Sequence, residues 1–162
     1  MPLSYPSSAL VASLLAACAA IAAAPALADP DCSGDMGDAT FCAPILACLE
    51  TSGVPFTGVA QGWDAGALFG TLGTGAVCTG DWRSRTRLGF GQARFSCDDG
   101  QAGTVLFTYQ DSVTGTATGR GLTDKGEPVR AWSGHNIRAF LSAETGAVDP
   151  TLMCGGSEIP LG

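Results

Sequence analysis

From residue 54 onward no long stretch holds a helical period, and this most constrains what the chain can fold into. Short segments follow one another instead, each mixing apolar residues with Gly, Thr and polar residues. They are 67–72 (ALFGTL), 75–82 (GAVCTGDW), 88–97 (LGFGQARFSC), 103–110 (GTVLFTYQ), 115–122 (GTATGRGL), 128–133 (PVRAWS) and 136–141 (NIRAFL). Turn signals separate them: Asp99-Gly100, Thr114-Gly115 and Lys125-Gly126. Regularly spaced short strands with Gly-rich turns predict a mainly β fold, a small antiparallel meander or barrel. Gly115, Gly119 and Gly121 fall in one strand candidate. Gly inside a strand marks a bend, a bulge or a close approach, so this strand is expected to curve strongly rather than to press its backbone on a ligand.

The segment before residue 54 reads differently. Residues 29–40 (DPDCSGDMGDAT) form an acidic, irregular lead-in. Residues 41–51 (FCAPILACLET) carry Phe41, Ile45, Leu46 and Leu49 near one helical face, with Thr40 as cap and Pro44 in the first turn. One short N-terminal helix is predicted there. Upstream, residues 9–28 are uncharged and rich in Ala and Leu, ending Ala26-Leu27-Ala28. This reads as an export signal cut after Ala28. Leu15-Ala16-Ala17-Cys18 also resembles a lipobox, in which Cys18 is lipidated. The chain stays apolar for ten residues after Cys18, which favours the cut after Ala28. The expected organisation is signal 1–28, lead-in and helix 29–53, β-rich domain 54–145, and a tail 146–162 tied by Cys154.

Beyond the leader remain 162 − 28 = 134 residues, with 27 Leu, Ile, Val and Phe among them. That is thin for a self-sufficient core. Six Cys also remain: Cys32, Cys42, Cys48, Cys78, Cys97 and Cys154. An even count in an exported chain predicts disulfides. Cys78 and Cys97 bridge if their strands pair in register across the RSRTRL connection. Cys32, Cys42, Cys48 and Cys154 would then tie the lead-in and the tail. No CxxC occurs and the single His, His135, is far from every Cys in sequence, so no metal site is expected. Asp29-x-Asp31-x-Ser33-Gly34 matches the first half of a calcium loop, but Thr40 stands where the bidentate Glu belongs. With Asp35 and Asp38 it reads as a solvated acidic segment.

The net charge of −7 argues against nucleic acid as partner. No catalytic residue or cofactor is expected. Ser133 lies beside His135 without triad geometry and no GxSxG is present. Asp98-Asp99 reads as turn chemistry. Glu50, Glu127, Glu144 and Glu158 form no evident pair. Arg83, Arg85 and Arg87 alternate, with Arg94 nearby. They read as solvent-facing charges that protect a sheet edge, or as a ladder for a partner's anions. Trp63, Trp82 and Trp132 read as core positions or stacking platforms. The possible binding residues are therefore Arg83, Arg85, Arg87, Trp132 and His135.

The export signal, paired Cys and Gly-rich strands are similar to small exported bacterial β-proteins, inhibitors of wall-degrading enzymes among them. The expected function is a non-catalytic exported domain, periplasmic or secreted, that binds a protein, a glycan or an envelope component. A membrane is involved only if Cys18 is lipidated. As an inhibitor, it would insert the 133–138 loop (SGHNIR) into a wall hydrolase. The alternatives are a small secreted hydrolase with carboxylate chemistry and a structural surface protein.

Overall fold

The computed structural model describes Cys32 and residues 35–161. The leader, Cys18 and Asp29, Asp31, Ser33 and Gly34 of the half calcium loop lie outside the described residues. Eight antiparallel strands close into a barrel: β1 (Cys42–Leu49), β2 (Val54–Trp63), β3 (Ala65–Leu72), β4 (Val77–Arg83), β5 (Gly91–Cys97), β6 (Ala102–Gln110), β7 (Ala117–Thr123) and β8 (Pro128–Ser133). Each strand pairs with the next, and β8 returns to β1. Helix α1 (Ile137–Thr145) and the hairpin β9 (Leu152–Cys154)–β10 (Ser157–Ile159) follow. The fold is mainly β, an antiparallel barrel stapled by three disulfides, as the sequence predicts, and its one short helix among the described residues follows the barrel. Among the described residues no helix is long and apolar enough to cross a membrane.

Two hydrophobic cores hold this arrangement. Inside the barrel, Ile45, Ala47, Leu49, Phe56, Leu68, Leu72, Val105 and Val129 fill one half. Outside it, Leu46, Cys48 and Trp132 on β1 and β8 pack under Ile137, Phe140 and Leu141 of α1 and Leu152 and Ile159 of the hairpin. Strand β1 is thus buried on both faces.

That double burial explains the first departure from the sequence reading. Residues 41–51 form no N-terminal helix: Cys42–Leu49 is a strand, and the short helix lies beyond the barrel instead. A strand covered on both sides loses its alternation and reads as an unbroken apolar run, which a helix also produces. The β-rich domain accordingly begins at Cys42 rather than at residue 54. The second departure is 136–141, expected as a strand and found in α1. Ile137, Phe140 and Leu141 are its buried residues, at the i, i+3, i+4 spacing of a helical stripe. Gly146 ends it in the left-handed region, its N–H donating to the Ser142 carbonyl. The third is β2, whose inward positions include Gly58 and Gly62 and so carry a weak apolar signal.

The disulfides are Cys32–Cys42, Cys48–Cys154 and Cys78–Cys97. Cys78 and Cys97 face each other across β4 and β5 in register. Cys154 fastens the C-terminal segment to the barrel wall at Cys48.

The two barrel ends differ. At one end, four tight turns join β1–β2, β3–β4, β5–β6 and β7–β8. Each carries a Gly in the left-handed region, Gly53, Gly75, Gly100 and Gly126. Asp98 accepts the Val77 N–H and Asp99 the Gln101 N–H, so this acidic pair does turn work. Glu127 accepts the Ser52 N–H at 2.7 Å, linking two of the turns. The other end carries the longer β4–β5 and β6–β7 connections, the chain entering β1 and the crossing from β8 to α1.

Candidate functional site

The longer connections stand around an open mouth, and beneath them is a cavity of about 630 Å³. Its volume falls within the range of pockets that hold small molecules, about 300–1,000 Å³. Small inward residues make the room: Ala43 on β1, Ala60 and Gly62 on β2, Gly91 on β5 and Ala117 on β7. Ile45, Phe107 and Trp82 line it from the barrel interior. The Trp82 ring is half-buried, and its indole N–H donates to the Gln61 carbonyl at 3.0 Å. The indole thus presents an apolar face with its one donor already satisfied.

The rim is aromatic and polar. Trp63 packs edge-on against Phe41 at 5.8 Å between centroids, and Phe41 packs against His135 at 5.4 Å. Trp63 is 46% exposed despite its size. It precedes Asp64, which turns β2 into β3 at φ 63°, a conformation Asp tolerates better than most residues. Asp64 also accepts the Ser84 hydroxyl at 3.2 Å, bracing the β4–β5 loop. Gln92, Gln110, Ser133 and Asn136 add polar groups around the lining.

Opposite Trp63, residues 111–116 form a self-braced loop. Asp111 accepts the Thr114 N–H (2.6 Å), the Thr114 hydroxyl (2.8 Å), the Val113 N–H (3.2 Å) and the Tyr109 hydroxyl (3.4 Å). Asn136 donates to the Thr114 carbonyl and so ties this loop to the β8–α1 crossing. The bonds to Asp111, the Thr114 backbone N–H foremost, hold its carboxyl below the usual aspartate value. A depressed folded-state pKa means that Asp111 contributes its full share above the unfolded value of about 3.9, and loses it as pH falls through the lower folded value. Thermal melts of wild type and Asp111→Ala at a series of pH values are expected to differ by a constant amount near neutrality. The gap should close below about pH 4. A gap that persists unchanged into strong acid would show that the carboxylate does not brace the loop.

The structure separates the sequence-derived candidates. Arg83, Arg85 and His135 line the cavity. Arg87 lies in the same loop but off the lining, and Arg94 sits opposite Asp81 across β4 and β5. Trp132 is 2% exposed in the outer core, with Arg130 stacked at 4.8 Å, so it does not reach the mouth. Of the three Trp, Trp132 is core, Trp82 is cavity wall and Trp63 is rim. Gly119 and Gly121 lie inside the barrel against carbonyls of β6, which matches the curvature reading, whereas Gly115 lines the cavity. Ser133 and His135 share the cavity without a hydrogen bond between them. Among the described residues no three His, Cys, Asp or Glu side chains gather as a metal site would require. The 133–138 segment is braced near both ends: Gly134 donates to the Pro44 carbonyl, and Arg138 pairs with Asp149 at 2.6 Å, while His135 and Asn136 between them are exposed. Sequence reading took Phe41 only as an apolar position of a helix and did not single out Phe107 or Tyr109. Their one signal is position, in or beside strands that close around the same mouth.

No family model and no curated protein matches the chain. Among solved structures, a de novo designed fluorescence-activating β-barrel is similar, with 10% identity and a TM-score of 0.45, over 64% of this chain and 96% of that one.

Proposed function

We propose that this is a non-catalytic binding protein that takes one small, largely apolar molecule into the open mouth of the barrel. The observation that carries the reading is the cavity itself. An eight-stranded barrel is just wide enough to be filled by side chains or to hold one small ligand. This barrel does the first in its closed half and leaves a cavity of about 630 Å³ at the open end. Of the partners expected from sequence (a protein, a glycan or an envelope component), an envelope component suits the lining best, and the cavity narrows it to a small, largely apolar one. Much of the wall (Ala43, Ile45, Ala60, Phe107, Ala117 and the Trp82 ring) offers a glycan's hydroxyls no hydrogen-bond partner, while Gln110, Ser133 and Asn136 on the same lining suit a polar group on an otherwise apolar body. The three disulfides indicate an oxidising compartment. With the 1–28 leader, this supports export to the periplasm or the exterior.

The test is a fluorescence titration with N-phenylnaphthylamine, a neutral apolar probe that brightens out of water. Wild type is expected to bind it saturably at a single site. Ala117→Phe, which places a ring in the cavity, should weaken binding by about tenfold or more. Absence of saturable binding, or an Ala117→Phe variant that binds as well as wild type, would refute the reading.

A further inference from the structure

Resting on that reading, we infer that the ligand carries one uncharged polar group, a hydroxyl or an amide, which Gln110 and Ser133 receive over Ala117. The strand registers place these three side chains in one inward row. Ala117 of β7 is paired with Gln110 of β6 on one side and with Ser133 of β8 on the other. Residues directly opposite each other in a ladder point to the same face. Ser133 alternates with Val129 and Ala131, both in the barrel core. Ile45 of β1, also in that core, is the next residue of the row. All four line the cavity.

Strict alternation would not bring Gln110 inward. Phe107 packs on the barrel core and pairs with Gly119, so in a regular strand Tyr109 would face in and Gln110 out. The β6 register instead shifts between Phe107 and Tyr109, with Thr108 as the extra residue. Tyr109 turns outward against Phe140 of α1, and Gln110 turns into the mouth. Bulges at barrel rims re-aim side chains in this way. Gln110 and Ser133 stand two strands apart, about 10 Å, and the small Ala117 between them leaves the space open. The Gln110 carboxamide donates to the Gly115 carbonyl at 3.4 Å and keeps its second N–H and its oxygen. Among the described residues the Ser133 hydroxyl has no hydrogen-bond partner. Both groups donate and accept and neither is charged, which matches a neutral group that also does both. The ligand class is a compact apolar body with one such group, its body against Ile45, Phe107 and the Trp82 ring.

Naphthalene and 2-naphthol differ by one hydroxyl, and their affinities follow from displacement of N-phenylnaphthylamine. A hydroxyl moved from water into an apolar site without a partner weakens binding. With its partners in place, wild type is expected to hold 2-naphthol at least as tightly as naphthalene. Gln110→Leu with Ser133→Ala should weaken 2-naphthol about tenfold and naphthalene by no more than about twofold. Thr118→Val, on the outward side of β7 opposite Tyr109, should change neither. 2-Naphthoate carries a full charge and should bind about tenfold or more weakly than 2-naphthol. Retained naphthalene binding in the double variant shows that its cavity is intact, and the comparison on wild type needs no variant. Three results would each overturn the uncharged polar group and leave the apolar reading standing. They are wild type binding 2-naphthol about tenfold more weakly than naphthalene, a 2-naphthol affinity unchanged by the double substitution, and tighter binding of 2-naphthoate than of 2-naphthol. Failure of N-phenylnaphthylamine and naphthalene alike to bind would overturn both.

Discussion

Replacing Cys48 and Cys154 together by Ala is expected to cost more stability than removing either other bridge. The pair closes a separation of 106 residues, against 19 for Cys78–Cys97 and 10 for Cys32–Cys42. Loop-closure entropy alone then gives about 4–5 kcal/mol for Cys48–Cys154 and about 3 kcal/mol for each of the others. Packing adds to the difference. Cys154 is fully buried and Cys48 nearly so, both within the outer core between α1, the hairpin and the barrel wall. The hairpin of three-residue strands has little else to hold it in place. Urea unfolding of the three double variants should show the largest drop in midpoint for Cys48 and Cys154. Protection of α1 amides against exchange should fall with it. An equal loss for all three pairs would mean that the C-terminal segment is held by packing alone.

The second large effect is expected at Gly121. A Cβ there would fall on the Thr104 carbonyl oxygen of the neighbouring strand, with the Val105 Cα also inside contact distance. Both obstacles are backbone, so no side-chain rotation relieves them, and the β6–β7 ladder must part. Gly121→Ala should therefore cost about 3 kcal/mol or more, at the top of the range for overpacking. That is a large share of the roughly 5–15 kcal/mol that holds a domain folded. Gly156→Ala is the control: a Cβ at Gly156 meets nothing within 4 Å, and its φ lies outside the left-handed region. Its effect should stay within about 0.5 kcal/mol. Similar denaturation midpoints for the two variants would show that the tight strand curvature at Gly121 is not required.

The strands were legible where turn and alternation signals coincide. From β3 to β8 the Gly turns and the apolar residues between them place each strand within a few residues. Legibility failed where tertiary context rewrites the local pattern. Residues 42–49 are apolar on both faces because α1 and the hairpin cover the outside of β1, and nothing local announces that cover. Residues 137–141 do carry a helical stripe in Ile137, Phe140 and Leu141, but it is one turn long and follows six strand-like segments. Of the disulfides, Cys78–Cys97 was legible because it needs only two adjacent strands in register. Cys48–Cys154 joins parts of the chain that meet only once the barrel has closed.

The candidate site was legible in part. Arg83, Arg85 and His135 stood out as unusual residues, and all three reach the mouth. The cavity itself was not legible, because its volume comes from small side chains at Ala43, Ala60, Gly62, Gly91 and Ala117. Each is unremarkable alone, and they become a void only when four hairpins bring them together at one end. Trp132 illustrates the reverse: it is a conspicuous residue, but β8 turns it outward beneath α1.

The three tryptophans provide the most direct test of the cavity as a binding site. Trp63 stands on the rim and Trp82 in the wall, whereas Trp132 is buried on the outside of the barrel. Their indole N–H signals can be followed by NMR in wild-type protein titrated with N-phenylnaphthylamine. The Trp63 and Trp82 signals are expected to move together along one saturation curve while Trp132 stays in place. Movement of Trp132 with Trp63 and Trp82 unchanged would put the site on the outer core, and no movement of any indole signal would contradict binding in the barrel mouth.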